Sequence, residues 1–432
     1  MIRTLRRLKS RKPNQKGVAL LMAMFCVMIM SFLAVELSFD TSVEYILSNK
    51  EYHRVKAYEA AKAGMELSLL RIQLFKNVTK QYGEQLKGQE SILEMIWSLP
   101  FTWPPAIPDS ASMVDKDQIG TAVSDSFMEA RYVAQITAEG SKVDINDLDS
   151  PSESLKNATR DQLIKIFEQK MENTDDPWVE ANRNLDYEEI INNLKDWIDE
   201  DAISDNGGDE QSRYPEARSD SDITLPPNRP FQTMDELKMV DGMKEDVFQF
   251  LLPYVTVYGS KSINVNQANS TVLKSIDQII TDEVAEEIIN RRSDTEKGGP
   301  FRDENDFMSF IGANQQSFNP SQIPLSFGNE YNFRVEVTGE FQNVTRKIVA
   351  IVYDIEAVRD QMIEILDKDQ QQNQGNQGNN LGAQGGQGTP GNQGNQGQPG
   401  NQGNNQPQGS QGNNNSNTPS QTKPRIIYWW EN

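Results

Sequence analysis

An uninterrupted apolar run stands near the beginning of the chain. Residues 18–35 read VALLMAMFCVMIMSFLAV without a charge, with Lys16 before them and Glu36 after them. As a helix with about 1.5 Å rise per residue, this run spans roughly 27 Å, which matches the hydrocarbon thickness of a bilayer. We therefore predict a transmembrane segment over residues 18–36. A cleavable secretory signal is the alternative, but its apolar region is usually shorter and ends at an Ala-x-Ala-like site, which does not follow Val35.

The helical pattern continues past this apolar run. Residues 37–75 contain no proline and one glycine, and small or apolar residues recur among them at helical spacing. The sequence therefore predicts one helix of up to about 58 residues, half in lipid and half packed on a soluble domain. A signal anchor followed by a separate helix is the alternative that periodicity leaves open. The recurring positions are Val43, Ile46, Leu47, Ala57, Ala60, Ala61, Gly64, Leu67, Leu70 and Leu74.

Two later segments show the alternation that is typical of strands. Apolar and polar residues alternate over 131–138, and Gly140 follows as a turn, which predicts a hairpin within 127–145. A second hairpin is predicted over 333–352, where apolar positions alternate before and after Gly339. Residues 147–325 show helical periodicity, acidic runs and loops instead. Because the outer halves are incomplete alone, we predict one sheet interrupted by an inserted helical domain.

The end of the chain changes composition twice. Residues 370–422 carry no charge and two apolar residues, Leu381 and Ala383, so this Gly/Asn/Gln-rich tract is expected to be disordered. Residues 423–432 follow with the apolar and aromatic run IIYWW, which predicts a final strand that returns to the sheet. A frayed tail or a docking peptide for a partner is the alternative. Residues 355–368 slightly favour a helix.

Charge and composition narrow the possible functions. The formal net charge is −21, yet the first 17 residues hold seven cations and no acid, so the rest of the chain carries −28. A cationic N-terminus is expected to stay in the cytoplasm, and so acidic a body is a poor match for a phosphate backbone. One histidine and one cysteine leave little material for nucleophilic catalysis of the Ser/His/Asp or Cys/His type, and they are too few for a zinc site of thiolates and imidazoles. We therefore expect no enzymatic activity.

An acidic loop is the first candidate for binding chemistry. Residues 196–210 carry seven carboxylates around the turn Asn206-Gly207-Gly208. Calcium takes six to eight oxygen ligands from flexible loops, although the spacing here is not that of an EF-hand. A solvated acidic turn is the alternative, and composition alone favours it.

The strings DELKMVDGM and INVNQANSTVLKSI look like pieces of a helix-hairpin-helix fold, which in other proteins binds DNA through backbone amides at a glycine turn. Here Asp241 stands in that turn, where a phosphate would have to lie, and the charge nearby is negative. We therefore expect a structural use of the motif. A membrane-anchored DNA receptor of the competence type is the alternative. The expected core positions are Leu237, Val240, Met243, Phe248 and Leu251.

The start of the apolar helix resembles a known processing site. A basic leader ends in Gly17 directly before Val18, similar to the class III signal of type IV pilins and pseudopilins. In those proteins a prepilin peptidase cuts after the glycine and methylates the new N-terminus. Residues 57–72, AYEAAKAGMELSLLRI, are also similar to the part of pilin helices that packs on their sheet. Most such proteins have glutamate at the fifth mature position, where this chain has Met22.

A series of strings in the inserted domain makes the resemblance more specific. Together and in this order they resemble the large minor pseudopilin K of the type II secretion system, over most of the chain from Gly17 to Asp354. Members of that group characteristically lack the fifth-position glutamate. The strings are DWIDED at 196–201, GGDE at 207–210, PNRP at 227–230, DEL at 235–237, VDGM at 240–243, LPYV at 252–255, INVNQA at 263–268, and RR at 291–292 before GPF at 299–301.

This resemblance implies an α+β fold, in which a pilin-like long N-terminal transmembrane helix packs on an antiparallel sheet. The sheet carries a large inserted helical domain of helix-hairpin-helix or SAM-like type. The implied segments are a cleaved cytoplasmic leader (1–17), the transmembrane part of the helix (18–36), the first part of the pseudopilin domain (37–146), the inserted domain (147–325), the second part of the pseudopilin domain (326–369), the disordered tract (370–422) and the C-terminal strand (423–432).

The resemblance also implies a function. Such a protein caps the tip of the periplasmic pseudopilus and helps to initiate its assembly for protein export across the outer membrane. The expected partners are I-type and J-type minor pseudopilins, the major pseudopilin, the prepilin peptidase and inner-membrane lipid, with no nucleic acid. The body would lie in the periplasm. Because K-type pseudopilins bind calcium in the inserted domain, the implied ligands are Asp199, Asp201, Asp209 and Glu210.

Overall fold

A computed structural model describes residues 16–82, 85, 90–107, 112–214, 224–312, 324–328, 330–379 and 425–432. Most of the predicted leader (1–15) and of the predicted disordered tract (380–422) lies outside these residues. The helices are α1 (Lys16–Tyr82), α2 (Glu90–Ser98), α3 (Met113–Asp125), α4 (Glu153–Met171), α5 (Pro177–Ala181), α6 (Tyr187–Ile198), α7 (Glu245–Leu251), α8 (Ser270–Ile276), α9 (Asp282–Ser293), α10 (Glu304–Phe310) and α11 (Ile355–Asn379). The strands are β1 (Phe101–Trp103), β2 (Arg131–Ala138), β3 (Val143–Asp144), β4 (Val255–Thr256), β5 (Ile263–Asn264), β6 (Leu325–Ser326), β7 (Phe333–Phe341), β8 (Val344–Tyr353) and β9 (Arg425–Glu431).

Helix α1 is a single helix of 67 residues, which confirms the long continuous helix that the periodicity predicts. Residues 17–52 are exposed along their whole length, whereas Ala57, Ala61 and Met65 are fully buried against the sheet. Small residues allow the close approach. A Cβ on Gly64 would lie 2.7 Å from the Tyr132 ring, and no Cβ on Gly339 would fit beside the carbonyl oxygen of Ala57. The second half of the helix therefore packs on the sheet while the first half is free of the body.

The central sheet is antiparallel, with the strand order β1-β2-β7-β8-β9. Strand β2 alternates as predicted, with Tyr132, Ala134 and Ile136 buried toward α1. The predicted hairpin within 127–145 is wrong, because β2 pairs with β1 and with the distant β7, where Ala134 lies opposite Val337. Alternation specifies a strand and its buried face, but a long-range contact decides its partner.

The second predicted hairpin is present as β7 and β8, but its turn is not at Gly339. Glycine 339 lies inside β7, opposite Arg346. The chain reverses instead at Gln342 and Asn343, which both have positive φ angles of 48° and 64°. Two successive residues with positive φ match the right-handed twist of a tight hairpin, and asparagine tolerates this conformation. Gly339 is needed for the contact with α1 and not for the turn.

The chain leaves the sheet after β2 and returns at β7, and the segment between them forms the inserted helical domain. Two short parallel strand pairs lie at its base. The first residues of the domain pair with its middle as β3 with β4, and its last residues pair with its middle as β6 with β5. The expected helix-hairpin-helix core positions Leu237, Val240, Met243, Phe248 and Leu251 are all buried. They join a core that reaches Ile351 on the sheet. The sheet therefore has α1 on one face and the inserted domain on the other.

A buried carboxylate, Glu330, lies where the inserted domain joins the sheet. Both oxygens of Glu330 accept hydrogen bonds, from the backbone N–H groups of Gly140 and Asn332 at 3.2 and 3.1 Å and from the side-chain amide of Asn264 at 3.2 Å. Burial raises the pKa of Glu330 to about 6 despite these donors. This residue links the segment that leaves the sheet to the segment that returns.

The C-terminal elements follow the expected order with one correction. Helix α11 confirms the helix that 355–368 favours, and it extends to Asn379, so the expectation of disorder from residue 370 is wrong over 370–379. Glutamine is a fair helix former and a helix that has already begun propagates at little cost, although the two glycines of this stretch are poor helix formers. Strand β9 is present at the edge of the sheet, paired with β8.

Candidate metal site in the inserted domain

Helix α6 places the first carboxylate of the acidic loop. Its N-terminus is capped by Asp186, whose side chain accepts a hydrogen bond from the N–H of Glu189. Near its C-terminus, the Trp197 ring is buried and stacks on Phe231, with centroids 5.6 Å apart and planes 3° from parallel. This anchor fixes the last turn of the helix. Asp196 in that turn and Asp199 just after it are three positions apart, so they lie on the same side.

The loop that follows brings the third carboxylate back to the end of α6. Gly207 and Gly208 have φ angles of +87° and +95°, which glycine adopts without strain. The N–H of Ser204 donates to the carbonyl of Gly208 at 3.0 Å, which closes the turn. Glu210 then begins a 3-10 helix (Glu210–Arg213). The tight glycine turn therefore returns Glu210 to Asp196 and Asp199.

Asp196, Asp199 and Glu210 form a compact buried cluster. One oxygen of each lies within 4.8 Å of the others, and the three residues are 3%, 6% and 1% exposed. In each residue one buried oxygen accepts no hydrogen bond from the part of the chain that the structure describes: Oδ2 of Asp196, Oδ1 of Asp199 and Oε1 of Glu210. Burying carboxylate oxygens without hydrogen-bond donors or a counter-charge costs free energy, so a bound proton or cation would stabilise this cluster.

The acidity of the cluster changes accordingly. Burial, followed by the charges of Asp199 and Asp196, raises the pKa of Glu210 to about 7. Burial also raises the pKa of Asp199 to about 6, although Lys195 opposes the shift from 3.6 Å. Repulsion between closely spaced carboxylates accounts for part of both shifts. The cluster therefore favours either a bound proton or a bound cation.

The donor set fits a hard divalent cation. All three free atoms are carboxylate oxygens, which calcium and magnesium prefer, and the loop between them is of the flexible kind that calcium sites use. Asp196, Asp199 and Glu210 would hold the ion. It would supply the positive charge that the buried oxygens lack and would fasten the loop 200–209 to the end of α6.

The other two predicted ligands have different roles. Oδ1 of Asp201 accepts the N–H of Ile203 at 2.7 Å, and the side chain of Asp209 accepts the N–H of Gln211 at the start of the 3-10 helix. Neither belongs to the cluster of three, although the charge of Asp201 contributes to the raised pKa values of Asp199 and Glu210. Of the four predicted ligands, Asp199 and Glu210 lie in the cluster, and Asp196, which was not among the four, completes it. The spacing of Asp196 and Asp199 on one helix face is the signal that could have found it.

The comparison with protein families matches this same part of the chain. Residues 141–260, which include α4, α6, the acidic loop and α7, match the family model described as type II secretion system (T2SS), protein K. This segment is a type II secretion protein K domain. The match confirms the relationship to minor pseudopilin K that the strings of the inserted domain indicate.

A solved structure is similar to a larger share of the chain. A crystal structure titled as the GspK-GspI-GspJ complex from the type 2 secretion system of enterotoxigenic Escherichia coli aligns with a TM-score of 0.48 and 17% sequence identity. The alignment covers 73% of this chain and 95% of that chain. No curated protein matches the sequence.

The glycine turn of the helix-hairpin-helix segment is occupied by contacts inside the protein K domain. Gly242 has a φ angle of +81°, as such a turn requires. The N–H of Asp241 donates to the Tyr214 hydroxyl at 3.1 Å, and its carbonyl accepts from the Asn193 amide at 3.0 Å. The Asp241 carboxylate lies 3.5 Å from Arg213. This turn packs against α6 through its own polar groups, in agreement with a structural use.

The predicted processing residues lie at the start of α1. Gly17, Val18 and Met22 are exposed, and nothing lies within 4 Å of where a Cβ on Gly17 would be. Among the described residues one helix is long and apolar enough to cross a membrane, and it is this one. This agrees with a single-pass membrane anchor near the start of the described chain.

Proposed function

We propose that this chain is a minor pseudopilin that caps the tip of the periplasmic pseudopilus and helps to initiate its assembly for protein export. One observation carries the proposal. Helix α1 leaves residues 17–52 exposed for lipid and neighbouring helices, while a whole inserted domain stands on the opposite face of the sheet. Such a domain is too bulky for regular packing along a filament but has room at the tip.

The residue at the fifth mature position supports the same place in the filament. In other pseudopilins this position is a glutamate that resembles a charge partner for the N-terminal amine of a neighbouring subunit. A subunit at the very tip has no subunit above it to neutralise, so Met22 is acceptable there. Cleavage between Gly17 and Val18 by a prepilin peptidase, with methylation of Val18, belongs to this proposal. The body is then in the periplasm and α1 in the inner membrane.

We further propose that the site of Asp196, Asp199 and Glu210 binds calcium. The buried oxygens without donors and the raised pKa values of two carboxyls support it. Calcium would act here as a structural ion, because the three carboxylates are buried and an ion between them would fasten the loop 200–209 to the end of α6. We propose no catalytic activity for the chain.

The tip position is tested by assembly. The full chain, co-expressed in membranes with an I-type and a J-type minor pseudopilin and extracted in mild detergent, should co-purify with one copy of each. The matched control replaces the J-type subunit by the major pseudopilin, for which no stable three-component complex is expected. Preferential co-purification with the major pseudopilin would contradict a tip position.

A DNA receptor of the competence type is the second candidate, and the helix-hairpin-helix strings are the observation that motivates it. The internal contacts of Asp241 and the net charge of −21 argue against it. The full chain in detergent should not retain labelled duplex DNA on a filter at low salt. Retention that is lost as salt rises would favour the receptor.

A further inference from the structure

A second concave site lies beside the acidic cluster, between α4 and α6. Its volume is about 330 Å³, at the lower end of the range for small-ligand pockets. Cations and amides predominate in its lining, although the chain as a whole is acidic. The polar and charged lining residues are Lys156, Asn157, Arg160, Asn192, Lys195 and Asp205.

The two lysines of this cavity are already paired. Lys156 lies 3.3 Å from Glu153 and 3.8 Å from Asp149. Lys195 lies 2.7 Å from Asp205 and 3.6 Å from Asp199. Both ammonium groups therefore have acidic neighbours, which offset their positive charge.

Arg160 differs from both lysines. Its Nη1 donates to Oδ1 of Asn192 at 2.5 Å, a neutral acceptor, and Arg160 forms no ion pair within the described ranges. The guanidinium has five N–H donors in a planar fork, so most of them remain available at the half-buried wall of the cavity. Among the described residues that line this cavity, Arg160 is thus the cation without a carboxylate partner, and the one lining carboxylate, Asp205, is paired with Lys195.

We propose that this cavity binds a carboxylate, with the Arg160 guanidinium as its anchor. A carboxylate matches the planar fork through two parallel N–H···O bonds, which is the strongest common form of this interaction. The amide of Asn157 stands exposed at the rim, where it can donate to the same group. The carboxylate comes either from a small free acid or from an acidic side chain of a neighbouring protein chain. The proposal does not depend on the calcium site.

Binding is measured by calorimetry on the full chain in detergent, at low ionic strength, in a buffer freed of divalent cations on a chelating resin, so that no soluble polycarboxylate chelator is present. Succinate is the probe for a free acid, and an acetylated, amidated Glu-Glu dipeptide is the probe for acidic side chains. Arg160→Gln should weaken binding of the preferred probe about tenfold or more, since hydrogen bonds between charged groups are lost. Arg183→Gln is the matched control, because that arginine is 68% exposed and pairs with Glu180. It should leave the affinity unchanged.

A second variant keeps the test independent of the folding of Arg160→Gln. Asn157 is exposed, so Asn157→Asp should fold normally while placing a like charge at the rim, and it too should weaken binding. Preference for succinate identifies a free acid, and preference for the dipeptide identifies a protein side chain. The proposal is overturned if neither probe binds, or if Arg160→Gln and Asn157→Asp both bind as the unaltered chain does. Because the buffer holds no divalent cation, failure of the calcium proposal does not affect the result.

Discussion

Single residues set the electrostatics of the inserted domain. Asp196, Asp199 and Glu210 are buried within 4.8 Å of one another, and each has an oxygen without a donor in the described structure. Lys195 approaches Asp199 from one side but does not satisfy the whole cluster. The stability of this domain should therefore depend on protons and cations in a predictable way.

Without a divalent cation, the chain should lose stability as pH rises from about 4 to about 7. The folded-state pKa values of Asp199, about 6, and Glu210, about 7, lie above their ordinary values of 3.8 and 4.5. In this window the folded protein binds more protons than the unfolded chain. The stabilisation is therefore complete below the unfolded pKa and is lost as pH rises through the folded pKa. Melting temperatures measured in EDTA at several pH values test this.

Calcium should offset that loss near and above pH 7, where the carboxylates are ionised, and raise the melting temperature there by roughly 3 °C or more. Burial also raises the pKa of Asp147, and it raises that of Glu330 to about 6, but both groups should contribute equally with and without calcium. Asp199→Asn should abolish the calcium effect, whereas Glu200→Gln, at an exposed position, should retain it. A melting curve unchanged by EDTA in the unaltered chain contradicts the calcium site.

The contact between α1 and the sheet depends on one glycine. Gly339→Ala places a methyl group against the backbone of Ala57 and Ala61, which cannot move aside as a flexible side chain can. We expect a loss of stability of about 1–3 kcal/mol or more, seen as a lower melting temperature. Gly120→Ala on α3 is the control, because nothing lies within 4 Å of the added atom. Equal melting temperatures for both variants would show that the helix does not pack as described.

At the scale of elements, α1 combines two environments in one helix. Its first part is apolar and exposed, and its second part is buried against the sheet through small residues. Because the helix is continuous, a force or displacement at the membrane end reaches the body without a flexible joint. This is the property that a filament subunit needs.

The first residue of the chain after the expected cleavage can be determined directly. We expect N-terminal sequencing and mass spectrometry of the membrane-extracted chain to find Val18 as the first residue, because a prepilin peptidase would cut after Gly17. Gly17→Leu should leave the full leader attached, while Lys16→Arg keeps the charge and should be processed normally. A chain that still begins at Met1 would be an ordinary membrane anchor.

At the scale of the whole molecule, two cores share one sheet. Ile348, Ala350 and Val352 of β8 face α1, while Ile351 faces the inserted domain. Strand β9 joins both sides: Tyr428 packs beside Tyr258 at 6.0 Å, and Glu431 accepts a hydrogen bond from the Tyr58 hydroxyl of α1 at 3.1 Å. The last residues of the chain thereby contact both parts of the molecule.

Removal of β9 should destabilise the entire body. A chain that ends at residue 424 loses the backbone pairing with β8 and the contacts of Tyr428 and Glu431. We expect the melting temperature to fall by about 2–4 °C for each kcal/mol lost. Deleting residues 402–409 instead removes the same number of residues and keeps β9, so it should have little effect. An unchanged melting temperature after truncation would mean that β9 does not stabilise the sheet.

The sequence by itself determined the features that depend on local pattern. The apolar run and the helical spacing through Phe75 predicted one long helix, with a separate anchor left open, and alternation predicted the strands β2, β7 and β8. The buried positions of the helix-hairpin-helix segment could also be predicted from the sequence, because apolar residues at helical spacing mark the buried face of a helix. These are properties of neighbours in the chain.

The tertiary structure alone decided the features that depend on distant residues. It paired β2 with β7, placed Gly339 against α1 instead of in a turn, and selected Asp196 over Asp201 and Asp209 for the acidic cluster. It also brought Arg160 and Asn192 to one cavity wall. The physical reason is that strand pairing and side-chain clusters are set by packing between elements far apart in sequence, which no local periodicity encodes.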